Sequence, residues 1–97
     1  MTGVSRAAGA EAAPELSVII VVYRTPDYLR RCLDSLEAAA LQRSWEAIVI
    51  DNAPEEGDCR GIALAHKNVQ YFPNRRNVGF GRACNQGMRA ARGRSVA

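Results

Sequence analysis

The sequence lacks an apolar run long enough to cross a membrane. Residues 17–23 form a continuous apolar stretch, but a spanning helix needs roughly 18 such residues, so a transmembrane segment is excluded. Residues 1–14 are rich in alanine and glycine and lack the apolar centre of a signal peptide. We therefore expect residues 1–15 to form a disordered tail.

Cysteine is scarce, and its spacing does not suggest pairing. The three cysteines, Cys32, Cys59 and Cys84, lie far apart in the chain. An odd number without close pairs argues against both a disulfide framework and a zinc site. Each falls in or beside a predicted helix, where we interpret it as a small buried hydrophobe. Unpaired cysteines fit a reducing compartment, so we expect a cytoplasmic protein.

Acidic residues are absent after Asp58, and the chain as a whole carries a formal net charge of +3. The basic residues beyond that point are Arg60, Lys67, Arg75, Arg76, Arg82, Arg89, Arg92 and Arg94. Arginine without a nearby counter-charge favours a polyanionic partner, such as nucleotide phosphates, nucleic acid or an acidic membrane surface. For any single arginine, a solvated surface is an equally good explanation.

The side chains that usually perform catalysis are nearly absent. His66 is the only histidine, no base, acid or nucleophile accompanies it, and we interpret it as a solvated helix end. No serine lies in a nucleophile elbow. Glu55, Glu56 and Asp58 are interpreted as a solvated loop, because their spacing is not that of metal ligands. We therefore expect neither catalytic residues nor metal ligands in this chain.

The apolar run at residues 17–23 is the element around which the chain is organised. It is rich in β-branched residues and has no polar alternation, so both of its faces must be covered. This pattern is typical of an interior strand in a parallel sheet. Polar, turn-forming residues 24–27 follow it directly. In open α/β sheets ligands bind at the carboxyl ends of the strands, so we expect the functional site just past Tyr23.

The rest of the chain alternates between strand and helix patterns. Further strand-like runs occupy residues 45–50 and 69–72, and the approach to a fourth strand occupies residues 94–97. Helical periodicity is present at residues 26–40, 59–66 and 79–92. In the last helix small residues suggest close approach to a neighbouring element, and the inward positions are Ala83, Cys84, Gly87, Met88 and Ala91. The alternation predicts an α/β fold, a Rossmann-like parallel sheet with flanking helices.

Two candidate ligand contacts lie at the ends of the first two strands. Asp51 could accept hydrogen bonds from a ribose hydroxyl or a base N–H group, both of which a nucleotide offers. The alternative is an Asx turn before Pro54, and we favour ligand contact because the position agrees with the predicted strand order. Tyr23 could lay its ring against a base, or it could be an ordinary aromatic residue at the sheet edge.

A third candidate is the glycine-containing segment that opens the last helix. Gly79-x-Gly81 is similar to a dinucleotide-binding turn, but Cys84 occupies the third small position and the segment follows the third strand. These departures argue against a nicotinamide dehydrogenase. The glycines still permit close backbone approach, with Arg82 facing a diphosphate at the helix start. Asn77 and Asn85 add polar groups to the same segment.

Three motifs in order carry a family resemblance. They are SVIIVVYR at residues 17–24, IVIDNA at residues 48–53 and NRRNVGFGRACNQG at residues 74–87. Together they resemble the start of family 2 glycosyltransferases of the GT-A fold, over about residues 16–96, and the third motif is most similar to the rhamnosyltransferase-like branch. The resemblance implies that residues 16–97 bind a nucleotide-diphosphate sugar. The binding residues it implies are Tyr23, Arg24, Asp51, Asn52, Asn77, Gly79, Arg82 and Asn85.

The resemblance also implies a reaction and its partners. A divalent cation, magnesium or manganese, would bridge the diphosphate, and a carboxylate base would deprotonate an acceptor hydroxyl, with inversion at the sugar carbon. The acceptor would be a glycan or a lipid-linked molecule in surface polysaccharide synthesis. Nucleic acid is not expected as a partner of the family. The full-length protein is expected to associate peripherally with a membrane.

The sequence departs from the family pattern in places. Val22 stands where threonine is usual, Arg24 where asparagine is usual, and Ala53-Pro54 where Gly-Ser is usual. The Asp-x-Asp metal motif and the catalytic base would follow Ala97. We therefore expect an amino-terminal fragment, truncated before the metal motif and inactive alone. One alternative is a non-catalytic nucleotide- or nucleic-acid-binding module that uses the arginine-rich end. Another is a fragment that does not fold alone, because the outer edge of its first strand is unpaired.

Overall fold

The structure is a computed structural model that describes residues 14–39 and 44–97 of the chain. Most of the tail expected at residues 1–15 lies outside the described residues. Pro14 and Glu15 are described, and their carbonyl groups accept hydrogen bonds from the backbone of Arg94 and Ser95, at 3.2 and 3.0 Å.

Strands and helices alternate in the predicted order. The elements are β1 (Leu16–Val22), α1 (Pro26–Ala39), β2 (Trp45–Asp51), α2 (Cys59–Leu64), β3 (Val69–Pro73), α3 (Phe80–Ala90) and β4 (Ser95–Val96). No helix in the described part of the chain has the length and apolar character needed to cross a lipid bilayer. The predicted α/β class, with a Rossmann-like sheet and flanking helices, is confirmed.

Helix α2 is shorter than predicted, because its end tightens. The N–H groups of Ala65 and His66 reach carbonyl groups three residues back, at 3.4 and 3.2 Å, instead of continuing the α-helical pattern. His66 lies just past the last residue of α2, and its side chain is partly exposed. Its Nδ1 lies 2.9 Å from Oε2 of Glu37, so the side chain joins α2 to α1.

The described strands form one parallel sheet in the order β3-β2-β1-β4. Every residue of β2 is buried, because both faces of the sheet are covered at this central strand. β4 pairs with the outer edge of β1, where Leu16 lies opposite Ser95, so this part of the edge is covered. The register aligns Val22 with Asp51, and Asp51 with Pro73. Three strands therefore end at the same edge of the sheet.

Each face of the sheet is covered by different helices. Leu29 and Leu33 of α1 and Ile62 of α2 belong to one buried cluster, together with Val22 and Val49 of the strands. Helix α3 covers the opposite face, where Ala83 packs with Ile48 and Ile50. The chain therefore crosses from β3 to β4 over the face opposite to α1 and α2.

Helix α3 lies unusually close to β1. A Cβ atom added at Gly87 would lie 2.6 Å from Cγ2 of Ile19, so only glycine fits without a shift. The predicted close approach is confirmed. The prediction that Met88 faces inward is wrong, because this residue is 57% exposed. Ala83 and Gly87, one helical turn apart, set the inward face instead.

A buried carboxylate joins the end of α3 to the sheet. Glu46 accepts hydrogen bonds from the Ser17 hydroxyl at 2.6 Å, the Gln70 amide at 3.1 Å and the Arg92 backbone at 2.7 Å. The Arg92 guanidinium adds a contact at 3.2 Å. Ser17 in turn accepts a bond from the Gly93 N–H group at 2.7 Å. Burial alone would raise the pKa of Glu46, but these hydrogen bonds outweigh it and hold that pKa below its ordinary value.

Candidate functional site

The candidate site is an open cleft at the edge where β1, β2 and β3 end. It has a volume of about 290 Å³ and is lined by Tyr23, residues 52–56 and residues 75–77. Each group of residues belongs to the loop that follows one of the three strands. These loops lie together because the strands are parallel and end at the same edge of the sheet. Of the predicted site residues, Tyr23, Asn52 and Asn77 lie in this lining.

Asp51 lies beneath the cleft and is only 1% exposed. Its Oδ1 accepts a hydrogen bond from the Ala53 N–H group at 3.0 Å, and its Oδ2 accepts one from the Tyr71 hydroxyl at 2.7 Å. The Asx turn named as the alternative is therefore present. Burial, together with the hydrogen bond to Asp51 and its charge, raises the pKa of Tyr71, so the hydroxyl remains a donor. Ligand contact by Asp51 stays a prediction.

A network of side-chain amides joins the ends of β2 and β3 to α3. Buried Asn52 accepts a hydrogen bond through Oδ1 from the Asn74 amide at 2.9 Å. Asn74 and Gln86 exchange two hydrogen bonds, at 3.0 and 3.1 Å. Sequence reasoning did not single out Asn74 or Gln86. Both lie in the third motif, but nothing local in the sequence pairs two amides twelve residues apart.

The turn from Asn77 to Gly79 starts α3 at the edge of the sheet. Oδ1 of Asn77 accepts a hydrogen bond from the Gly79 N–H group at 2.8 Å. Gly79 has φ of +89° and ψ of 163°, a combination that is open to glycine almost alone. A Cβ atom there would meet nothing within 4 Å, so the requirement for glycine comes from the backbone and not from crowding.

Arg82 and Asn85 are not brought to the cleft. Both are exposed on α3 and are absent from the lining, because the buried face of that helix is set by Ala83 and Gly87. Helical periodicity therefore directs the neighbouring positions toward solvent. Their predicted contact with a nucleotide sugar remains a prediction.

The cleft has one acidic and one basic wall. Glu55 and Glu56 lie on the first, and Arg75 and Arg76 lie on the second. Glu55, Glu56 and Asp58 lie in an exposed loop, as interpreted, and within it Oε1 of Glu56 lies 2.6 Å from Nε of Arg24. The partner residues are 32 positions apart, so only the folded chain reveals the pair. Arginine side chains at an open cleft can bind phosphate oxygens through several N–H donors.

The described residues do not form a metal site. Among residues 14–39 and 44–97, no group of three or more His, Cys, Asp or Glu side chains is arranged to hold a metal ion. The Asp51 carboxylate is occupied by Ala53 and Tyr71, and that of Glu56 by Arg24. The residues present therefore do not fit the divalent cation that the resemblance implies.

Comparison with known proteins identifies similar sequences over nearly the whole described chain. The family model for "Glycosyl transferase family 2" matches residues 17–97. An uncharacterized glycosyltransferase of Rickettsia bellii is 32% identical over 82 residues, which cover 84% of this chain and 12% of that protein. One from Rickettsia felis is 31% identical over 81 residues, which cover 82% of this chain and 13% of that protein. EpsH of Bacillus subtilis, named provisionally as a glycosyltransferase, is 29% identical over 85 residues, which cover 87% of this chain and 25% of that protein. The chain thus spans between 12% and 25% of the length of these relatives.

Proposed function

The chain belongs to glycosyl transferase family 2, and on that premise we propose that it binds the donor of an inverting glycosyltransferase. The donor would be a sugar carried on a nucleoside diphosphate. The observation that supports this most strongly is the cleft of about 290 Å³ at the shared carboxyl edge of three parallel strands.

The chemistry of the lining matches the parts of such a donor. Tyr23 is 42% exposed and offers an aromatic face on which a base can stack. Arg75 and Arg76 can bind the diphosphate through charge-assisted hydrogen bonds. The Glu55 carboxylate, on the acidic wall, can accept hydrogen bonds from the ribose hydroxyls. An aromatic ring, polar groups and cations on one cleft fit a nucleoside diphosphate better than a neutral metabolite.

The remaining features belong to the proposed full-length enzyme. It would transfer the sugar to a hydroxyl of a glycan or lipid-linked acceptor, in cytoplasmic synthesis of surface polysaccharide with peripheral membrane association. A rhamnosyltransferase-like specificity is part of the proposal. So is a requirement for a divalent cation, magnesium or manganese, and for a carboxylate base. We expect the 97-residue chain to bind donor nucleotides weakly and not to turn over.

A titration of the chain with nucleoside diphosphates tests the proposal. Chemical shifts of the backbone amides would be followed in the presence of UDP, GDP and dTDP in turn. Tyr23→Ala should weaken binding of the accepted nucleotide about fivefold or more, because base–aromatic stacking contributes about 1–3 kcal/mol. Tyr28→Ala is the matched control, since Tyr28 is exposed to a similar extent, 49%, and lies outside the cleft lining.

The outcome separates the two classes of function. If no nucleoside diphosphate shifts the amides of residues 52–56 and 75–77, the donor-binding proposal is wrong. If an oligonucleotide instead binds with steep salt dependence, the nucleic-acid-binding alternative at the arginine-rich end gains support.

A further inference from the structure

We propose that Arg24 and Glu56 form a clasp between two loops of the cleft, and that this clasp holds the Tyr23 ring in position for the base of the donor. The inference rests on the proposed function and adds two positioning residues to it.

The backbone of Arg24 is the first observation that supports the clasp. Its φ is +60°, and it is the one non-glycine residue in the described part of the chain with a positive φ. A long side chain seldom adopts this conformation, which persists only where surrounding contacts hold it. Such conformations cluster at binding sites, and Arg24 directly follows the cleft residue Tyr23.

The contacts of the guanidinium group are the second observation. Nε of Arg24 lies 2.6 Å from Oε1 of Glu56, and Nη2 donates to Oε2 at 3.1 Å. This two-point pairing uses the fixed fork of the guanidinium and is more directional than a lysine contact. The same group lies 4.8 Å from the centroid of the Tyr23 ring, within the range of a cation–π interaction. One side chain thus contacts both the ring and the opposite loop.

The loop that carries Glu56 also forms one wall of the cleft. The Glu56 N–H group donates to the Ala53 carbonyl at 3.0 Å, which closes a turn. Gly57 follows with φ of +78°, and a Cβ atom added there would lie 3.4 Å from Cδ of Pro26 at the start of α1. The turn therefore lies close to the start of α1, two residues after Arg24, and the ion pair joins the turn to Arg24 itself.

The position of Arg24 relative to the cleft indicates how the clasp acts. Tyr23 and Glu56 belong to the lining, whereas Arg24 does not. The guanidinium therefore supports the ring from outside the cleft and leaves the cleft itself open to a base. The ion pair is exposed, with side chains 54% and 52% accessible, so its effect on affinity should be modest. We expect a loss of about threefold to tenfold when it is removed.

Two single variants and their combination test the clasp in the intact chain. Arg24→Asn removes the guanidinium but keeps the backbone, because asparagine tolerates positive φ. Glu56→Gln removes the charge at nearly constant shape. The control is Arg30→Gln, which removes an arginine that is also 54% exposed and paired, with Asp27, on α1. The readouts are the NMR signals of the Tyr23 ring, the affinity for the best-bound nucleoside diphosphate and the urea midpoint.

The expected result is that Arg24→Asn and Glu56→Gln both shift the Tyr23 ring signals and weaken nucleotide binding about threefold to tenfold. The affinity of the double variant for the nucleotide should be no lower than that of the single variant that binds less tightly, since each substitution removes the same contact. Urea midpoints should change no more than in the control, which separates positioning from a loss of stability.

Three results would overturn the clasp. Unchanged affinity in both variants, with wild-type binding intact, refutes the clasp alone and leaves the proposed function standing. Additive losses in the double variant show two independent effects and also refute it. Absence of nucleotide binding by the wild-type chain refutes the proposed function and the clasp together.

Discussion

Replacing Gly87 by alanine tests the close approach of α3 to β1, on which the position of the Gly79 turn depends. In an exposed helix this change would stabilise the protein by about 1 kcal/mol, because alanine is the better helix former. Here the added Cβ atom would lie 2.6 Å from Cγ2 of Ile19 and 3.1 Å from its Cγ1. Ordinary carbon contacts are about 3.5–4.0 Å, so α3 or the strand must move by about 1 Å.

The overpacking effect should be larger than the helix-propensity effect. Ile19 is β-branched and stiff at χ1, and rotation would bring another of its carbons toward the new methyl group. Overpacking a buried contact costs about 1–3 kcal/mol. Subtracting the propensity gain predicts that Gly87→Ala lowers the free energy of unfolding by up to about 2 kcal/mol. For a domain of this size, each kcal/mol corresponds to a melting temperature shift of about 4–8 °C.

Gly81→Ala in the same helix is the matched control. A Cβ atom at Gly81 meets nothing within 4 Å, so this variant should gain a few tenths to about 1 kcal/mol. Urea unfolding followed by circular dichroism measures both variants, with an unchanged slope as the sign of a native-like fold. If Gly87→Ala stabilises the chain as Gly81→Ala does, α3 does not pack on β1 at contact distance. In an Ile19→Ala background, Gly87→Ala should become neutral or favourable.

Three further substitutions test the buried polar groups and the turn. Glu46→Gln should cost about 1–3 kcal/mol at neutral pH. Because the folded-state pKa of Glu46 is lowered, the wild-type chain has this stabilisation above the unfolded pKa of about 4.3 and loses it as the pH falls through the folded value. The urea midpoints of wild type and Glu46→Gln should therefore converge between pH 7 and pH 3. A constant difference between the two midpoints over that range would contradict the network. Tyr71→Phe should cost about 1–3 kcal/mol at pH 8, since Asp51 loses a donor, and an unchanged urea midpoint would exclude that bond. With its pKa raised, Tyr71 contributes fully below the unfolded value of about 10 and less as pH rises through the folded value. Gly79→Ala should cost about 1–3 kcal/mol through backbone strain alone, and a midpoint as high as that of Gly81→Ala would refute it.

The order of strands and helices followed from local patterns. The run at residues 17–23 predicts a strand because its β-branched residues fit a pleated surface buried on both faces. Leu29 and Leu33 recur at helical spacing, and both are buried against the sheet. The three motifs predicted glycosyl transferase family 2, which the family comparison confirms. In each case the signal lies within a few residues of the feature that it predicts.

The site was only partly predictable, because polar side chains do not specify their partners locally. Asp51 was identified as a strand-end carboxylate, but its partner Tyr71 lies 20 residues away and becomes adjacent only through the pairing of β2 with β3. Glu46 lies within an otherwise apolar strand pattern, and its partner Arg92 is 46 residues distant. Arg82 was assigned to the site from its motif; the structure shows it exposed on α3 and outside the cleft lining, and its contact with a donor remains a prediction.

The elements, their order, the parallel α/β class and the family follow from local patterns, since these features depend on short-range spacing of apolar residues and on motif order. The pairing of polar groups is visible only in the folded chain, where Arg24 meets Glu56, Asp51 meets Tyr71 and Glu46 meets the end of α3. These meetings depend on strand register and on the crossover of α3, which bring distant parts of the chain within hydrogen-bonding distance. A local pattern contains no information about such distances.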